Sequence, residues 1–322
     1  MRILKFLALM FVLGVVQREA HAQWTMYQSS LQVGGTTNRY AVAATNFNGE
    51  YYVAYTNQNG LIYVAPSSSL TTFTSSTAVT TPAGNITSSG SPALTVLSGQ
   101  LYMSYIVGNN TLYVTHSADG SSWSTPTIVS VPSGVVPDAT PSLAADTLNG
   151  ALIIGFHDHT KQAIVICTLN VSTLSSTCSQ PTGAGSTYGP GLLVSGSTLY
   201  TFFESSNSKH SLYYFVTNIN PDGSLPQFIL DTDASGDQTS GQPSATLPNG
   251  DFLVVGFRSN DSSAHFLTKS YNWITGVWSN SVDSGVSMNG APSLLSSGTT
   301  VMNFYAPNSS PYDLNVMYST TE

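Results

Sequence analysis

Charge is scarce in this chain, so the side chains that carry it stand out. Lys and Arg total 8 and Asp and Glu total 16 in 322 residues. Three titratable residues fall at matched places. His157, Glu204 and Arg258 each directly follow an aromatic residue, Phe156, Phe203 or Phe257, at the end of an apolar run. Arg39, Asp138, Tyr188 and Asp237 lie in the segments that lead into such runs, and Asp158, His159, Lys161, Lys209, His210 and Asp261 lie just beyond them. These types allow three chemistries. Glu204 and Arg258 can form an ion pair between neighbouring structural units, with His157 a satisfied polar residue. Arg258 and Glu204 can instead fix the hydroxyls or carboxylate of a polar ligand, with Tyr188 or Tyr312 as a stacking face. Or Glu204 can work with Asp138 or Asp158 as the carboxylate pair of glycoside cleavage, which requires a separation of about 5–9 Å. His157-Asp-His159 places two imidazoles on one face of a strand, but no third ligand is evident and no metal is expected. The run Asp231-Thr-Asp-Ala-Ser-Gly-Asp237 lacks the downstream acidic ligand of a calcium loop and reads as a solvated turn.

Something must bring residues so far apart in sequence to one place, and the sequence supplies a repeat. Pro92 recurs as Pro141, Pro190, Pro243 and Pro292, about every 50 residues. A turn glycine preceded by Asn or Ser recurs as Gly49, Gly99, Gly150, Gly196, Gly250 and Gly298. Six or seven residues later comes an aromatic: Tyr55, Tyr105, Phe156, Phe203, Phe257 or Tyr305. Each unit reads as four strands. A short strand follows the proline, and the Asn/Ser-Gly pair makes a hairpin turn. A second strand, such as Leu253–Phe257, is apolar on both faces, as expected between packed sheets. A third, such as Leu212–Val216, leads to an outer strand such as Trp123–Val129. The last unit stops after its third strand, Leu314–Ser319, and Trp24-Thr-Met-Tyr near the N-terminus looks like a fourth. Four-stranded units at this period predict an all-β, six-bladed β-propeller of antiparallel blades over residues 23–322, closed by the N-terminal strand completing the last blade. One rim would then gather His157, Glu204, Arg258, Arg39, Asp138 and Tyr188.

One turn is more specific. Ser117-Ala-Asp119-Gly120-Ser-Ser-Trp123 resembles the Asp box of the sialidase-like (BNR-repeat) propellers, with one residue fewer between Asp and Gly. Degenerate relatives are Phe73 after a Ser-rich run, Asn220-Pro-Asp-Gly223 and Thr275-Gly-Val-Trp278. The resemblance implies a structural turn, with Asp119 capping backbone N–H groups and Trp123 buried between blades. It also implies a family whose enzymes clamp a sialic acid carboxylate with three arginines. Arg39 is similar to the first of these but lacks the Ile-Pro that follows it, and beyond residue 22 the only other arginine is Arg258. True sialidase activity is therefore not expected.

Composition narrows the rest. Arg2 and Lys5, the apolar run Phe6–Val16 and Ala20-His-Ala22 read as a cleaved signal peptide, residues 1–22, which predicts a secreted product. The run is too short to span a bilayer. The segment's net charge is +2, so its loss takes the formal charge from −8 to −10. Five basic residues remain, too few for nucleic acid or an anionic membrane surface. Cys167 and Cys178 predict one disulfide in an oxidising compartment. No phosphate-binding glycine loop and no Gly-x-Ser-x-Gly elbow occur, and no cofactor is expected. The leading expectation is a non-catalytic propeller binding carbohydrate or a similar polar extracellular ligand. A glycoside hydrolase or lyase using Glu204 with a nearby Asp, and a structural or adhesion module, remain alternatives.

Overall fold

A computed structural model describes residues 24–32, 41–73, 75–226, 228–231, 236–248, 252–308 and 313–320. Among them every regular element is a strand, and every strand pair is antiparallel. Four sheets have four strands each. The first runs Ala43–Phe47, Glu50–Thr56, Ile62–Ser67, Thr77–Ala78, and the second Ala93–Leu97, Gln100–Ile106, Leu112–Ser117, Thr127–Ile128. The third runs Pro137–Asp146, Ala151–Asp158, Ala163–Asn170, Ser176–Ser179, and the fourth Gly191–Ser195, Thr198–Glu204, Leu212–Asn218, Ile229–Asp231. The fifth is eight-stranded. Its first half is Ser244–Thr246, Phe252–Arg258, His265–Asn272 and Val277–Trp278. The 16-residue strand Val282–Ser297 leaves this half, pairs next with Thr300–Pro307, and the order continues through Asp313–Thr320 to Thr25–Gln32.

The repeat explains this order. Hairpins turn at Asn48-Gly49 (φ 52° and 82°) and Ser98-Gly99 (φ 51° and 72°), the paired left-handed conformation of a two-residue turn whose twist suits its strands. Second strands are buried along almost their whole length, and Ala151–Asp158 is buried at every position. Outer strands other than Thr25–Gln32 are short and partly exposed. Trp123 begins no strand, contrary to expectation; it makes one bridge to Ser117, and the strand is confined to Thr127–Ile128 beyond Pro126, which has no N–H to give. The recurring aromatics Tyr55, Tyr105, Phe156, Phe203, Phe257 and Tyr305 are all buried.

The core lies in layers between sheets. Phe47, Tyr52 and Val64 meet Leu101, Met103 and Trp123 between the first and second sheets. Val53, Tyr55 and Phe73 of the first sheet meet Met302, Phe304 and Val316 at the end of the fifth. Inner strands touch in turn, first to second, second to third, third to fourth and fourth to fifth, and Val282–Ser297 touches Ala43–Phe47. Hydroxyls tie them together. Ser293 Oγ accepts from the Ala44 N–H at 2.8 Å, Ser244 Oγ from Leu294 at 3.0 Å and Thr140 Oγ1 from Ser91 at 3.3 Å. Beside them is a cavity of about 140 Å³ whose lining mixes small residues such as Ala43, Gly191 and Ser293 with Pro92, Leu143 and Leu294.

The Ser117–Trp123 turn is built on its polar residues. Asp119 Oδ1 accepts from the N–H groups of Ser122 at 2.7 Å and Ser121 at 2.8 Å, which holds its carboxyl well below the usual range. The first sheet carries the same turn in weaker form: Ser67 Oγ accepts from Ser69 N–H, Ser69 Oγ accepts from Thr71 N–H, and Phe73 takes the buried place of Trp123. Cys167 and Cys178 face each other across paired strands and form the disulfide.

A Cβ on Gly191 would lie 2.2 Å from the Pro243 carbonyl oxygen of the next inner strand. Backbone cannot yield as a side chain does, so Gly191→Ala should cost about 1–3 kcal/mol in a denaturant titration. An unchanged midpoint and slope would show that the inner strands are not packed this closely.

Candidate functional site

The loops between second and third strands share one construction. Asn57 Oδ1 accepts from the N–H groups of Asn59 and Leu61 (2.9 and 3.0 Å), Asn207 Oδ1 from Lys209 and Ser211 (3.0 and 3.3 Å), and Asp261 Oδ1 from Ser263 and Ala264 (2.9 and 3.3 Å). Such side-chain turns fix a loop without regular structure. Hydrogen bonds from Ser263 and Ser259 hold the Asp261 carboxyl down to about 2. Each turn ends on a left-handed residue: Gly60 (φ 78°), His210 (φ 52°) or Ala264 (φ 50°). The segment crossing to the next sheet then bonds back, Ser88 N–H to Gly60 O, Ser186 N–H to Gln162 O and Thr239 N–H to His210 O. The rim is thereby a set of braced loops.

His157, Glu204 and Arg258 do take equivalent places at the ends of second strands. Their partners are not those expected. Glu204 is 0% exposed; Oε2 accepts from the Thr187 N–H at 2.9 Å, and Oε1 pairs with His210 Nδ1. The expected Glu204–Arg258 ion pair is absent: Arg258 Nη1 reaches Ser240 O at 3.4 Å, and Nε has no partner among the described residues. Asp158 is also fully buried, with Oδ1 accepting from Val136 and Thr160 N–H. Glu204, Arg258 and Asp158 therefore brace crossing segments. Asp138 Oδ2 lies 3.1 Å from His159 Nδ1 and 3.8 Å from the buried His157 Nδ1. Tyr188 is half-buried, and its backbone N–H and O bond to Ser186 Oγ. Arg39 and Tyr312 lie outside the described residues. Among the described residues no group of three His, Cys, Asp or Glu is placed to hold a metal ion.

The open space on this rim is elsewhere. A groove of about 530 Å³ is lined by Asn207, Ser208, Lys209, Ser211, Tyr213, Gly236 and Gln238. Its position follows from the fold. Ser211 bridges to Gln238, and Leu212 N–H donates to Asp237 O, so the crossing segment runs beside the loop. Lys269 Nζ, 2.6 Å from Asp237 Oδ2, holds that segment from the neighbouring strand. Lys209, Ser211 and Tyr213 alternate towards the groove, while His210 between them turns to Glu204. Lys209 is exposed and forms no ion pair among the described residues. Tyr213 rests edge-on against Phe203 at 6.2 Å. The sequence signal for this groove was faint: a lysine in a chain poor in cations, two residues after an asparagine able to cap its loop.

No protein-family model matches the chain, and no curated protein matches it. Solved structures do. A protein of unknown function from Dyadobacter fermentans aligns at TM-score 0.67 and 11% identity, over 93% of this chain and all of that one. The Aleuria aurantia lectin, solved with Fucalpha1-6GlcNAc, aligns at TM-score 0.56 and 11% identity, over 85% of this chain and 93% of that one. The Hadza microbial sialidase Hz136 aligns at TM-score 0.62 and 12% identity over 87% of this chain, which spans 65% of that one. At such identities the likeness is one of fold. The architecture is that of a β-propeller.

Burial disfavours the charged form of His157 and lowers its pKa, against an opposing pull from Asp138. The unfolded chain therefore takes up this proton first as pH falls below about 6.5, and stability is lost, by up to about 1.4 kcal/mol per pH unit. His157→Gln should flatten the decline of Tm between pH 7 and 5. Equal slopes in the two proteins would mean that His157 titrates normally.

Proposed function

We propose that this chain is a secreted, six-bladed propeller that binds carbohydrate in the rim groove and carries out no chemistry on it. The observation that carries this is the groove itself. It joins amides, hydroxyls, an ammonium and a tyrosine from a braced loop, the strand that follows it and the crossing segment, with no Asp or Glu among its lining in the described residues. Sugars are recognised by such a set: fixed donors and acceptors for hydroxyls and a flat ring for a C–H face. Lys209 donates, Gln238 donates and accepts, Tyr213 offers its ring, and Asn207, whose Oδ1 is taken up by the Lys209 and Ser211 N–H groups, holds the loop that presents them.

Glu204 does not fit a nucleophile or proton donor, because a fully covered carboxylate bonded to an amide and an imidazole cannot reach a glycosidic oxygen. The sialidase-like resemblance is kept for architecture. The Ser117–Trp123 and Ser67–Phe73 turns support it, and the three-arginine clamp is beyond a mature chain holding Arg39 and Arg258. In the six-blade reading, the long strand Val282–Ser297 serves as the crossing between blades five and six and as the inner strand of the sixth, and Thr25–Gln32 closes that blade through Asp313–Thr320. The signal peptide is residues 1–22 and the propeller residues 23–322.

On a glycan array, the wild-type protein should bind a limited group of sugars, and Lys209→Ala or Gln238→Ala should weaken binding by at least about tenfold. An array with no wild-type signal would falsify the binding reading. Aryl glycosides should stay intact, and turnover that Glu204→Gln abolishes would restore the catalytic alternative. Removing residues 24–32 exposes the edge of Asp313–Thr320 and should lower Tm and promote aggregation. A truncated protein as stable and monomeric as the parent would rule out closure by that strand.

A further inference from the structure

At the other end of the strands that bear the groove, four aromatic rings meet between the fourth sheet and the first half of the fifth. Trp273 stands edge-on to Tyr200 at 5.2 Å and to Tyr271 at 5.1 Å, and Trp278 lies 5.1 Å from Tyr271. All four are half-buried. They pack on the layer containing Phe202, Tyr214 and Leu253 and leave part of their surface to solvent. The turn that carries Trp273 is rigid. Asn272 Oδ1 accepts from the N–H groups of Ile274 (2.8 Å) and Thr275 (3.1 Å), and Gly276, at φ 68°, donates to Asn272 O. Tyr271 Oη sits at the edge of this turn, 3.7 Å from where a Cβ on Gly276 would be. Ile274, 86% exposed, is held outward at its tip. From Ser270 to Asn280 no residue is charged.

We infer that this aromatic cluster is a second carbohydrate-binding face, which takes the C–H face of a neutral pyranose on Trp273 and its hydroxyl edge on Tyr200 and Tyr271. The inference rests on the carbohydrate reading above. Each of these rings joins an apolar face to a polar group, which matches the two sides of a sugar ring. The absence of charge in this segment leaves no cation there to pair with a carboxylate or sulfate. It also removes the cations by which an apolar loop is drawn to an anionic bilayer. The preformed turn means that little ordering accompanies binding. With the groove at one end of the blades and this face at the other, a single chain can bridge two polysaccharide strands. The second contact then forms at the high effective concentration set by the first.

The test is a tryptophan-fluorescence titration of the full chain with soluble mannan, xylan, galactan and β-glucan. Trp24 and Trp123 are packed in inter-sheet layers, so the signal reports the Trp273 turn. At least one glycan should shift the emission, Trp273→Leu should weaken its binding by at least about tenfold, and Trp273→Phe should stay within about threefold. Trp273→Leu keeps apolar bulk, so loss in that variant at unchanged Tm reports the flat ring and not the fold. Ile274→Ser should leave sugar binding intact. The inference is overturned if Trp273→Leu binds as the wild type does. It is equally overturned if Ile274→Ser alone abolishes an interaction with phosphatidylcholine–phosphatidylserine vesicles or with a protein. Array binding lost in Lys209→Ala but untouched by Trp273→Leu would keep the groove and remove this face; no glycan bound at all removes both.

Discussion

Each inner strand of this propeller presents an edge of backbone N–H groups to the axis, and the arrangement depends on satisfying them from the next sheet. An unpaired buried N–H costs about 1–3 kcal/mol, so a ring of bare edges would be prohibitive. Two devices answer this. Proline in or just before the inner strands of five units, as Pro92, Pro141, Pro190, Pro243 and Pro292, leaves one donor fewer to satisfy in each. Hydroxyls meet others: Ser293 Oγ takes the Ala44 N–H and Ser244 Oγ takes that of Leu294, while the Gln242 amide satisfies a carbonyl, Nε2 donating to Pro190 O. Small side chains allow the close approach these bonds need: Ala43, Ser142 and Gly191 are among those lining the axial cavity, and Gly191 lies against the Pro243 carbonyl.

Close approach at the axis forces the sheets to spread further out, and larger side chains fill the widening layers. Second strands carry Leu, Ile, Phe and Tyr on both faces because both faces are covered. Beyond them the layers reach aromatic residues that are only half-covered, as at Tyr200, Tyr271 and Trp273. The outer strands other than Thr25–Gln32 are short, and polar turns such as Ser117–Trp123 hold them with side-chain hydrogen bonds in place of a long ladder.

The rim obeys the same rule of satisfied backbone. Crossing segments run where no sheet supports them, so charged and polar side chains take up their N–H and C=O groups. Glu204 holds Thr187, Asp158 holds Val136 and Arg258 holds Ser240. These scarce charges thus give the rim its shape, and the groove opens where the braced loop 205–211 turns Lys209 and Ser211 away from that scaffold.

The sequence by itself determined the class of fold. Its repeat of proline, turn glycine and aromatic is a direct consequence of local physics: φ at the turns, alternation along strands and burial of the second strand. It also placed Cys167 opposite Cys178 and put His157, Glu204 and Arg258 at matching strand ends. What those side chains touch could not be read there. The partners of Glu204 are Thr187 and His210, one in a crossing segment and one on a loop, and only the packing of neighbouring sheets brings them within bonding distance. The left-handed places at His210 and Ala264 were equally hidden, because neither is glycine and tertiary contacts hold the backbone there. The groove has the same origin: Gln238 joins Lys209 and Tyr213 through the bridge between Ser211 and Gln238, a contact across two segments that no periodicity encodes.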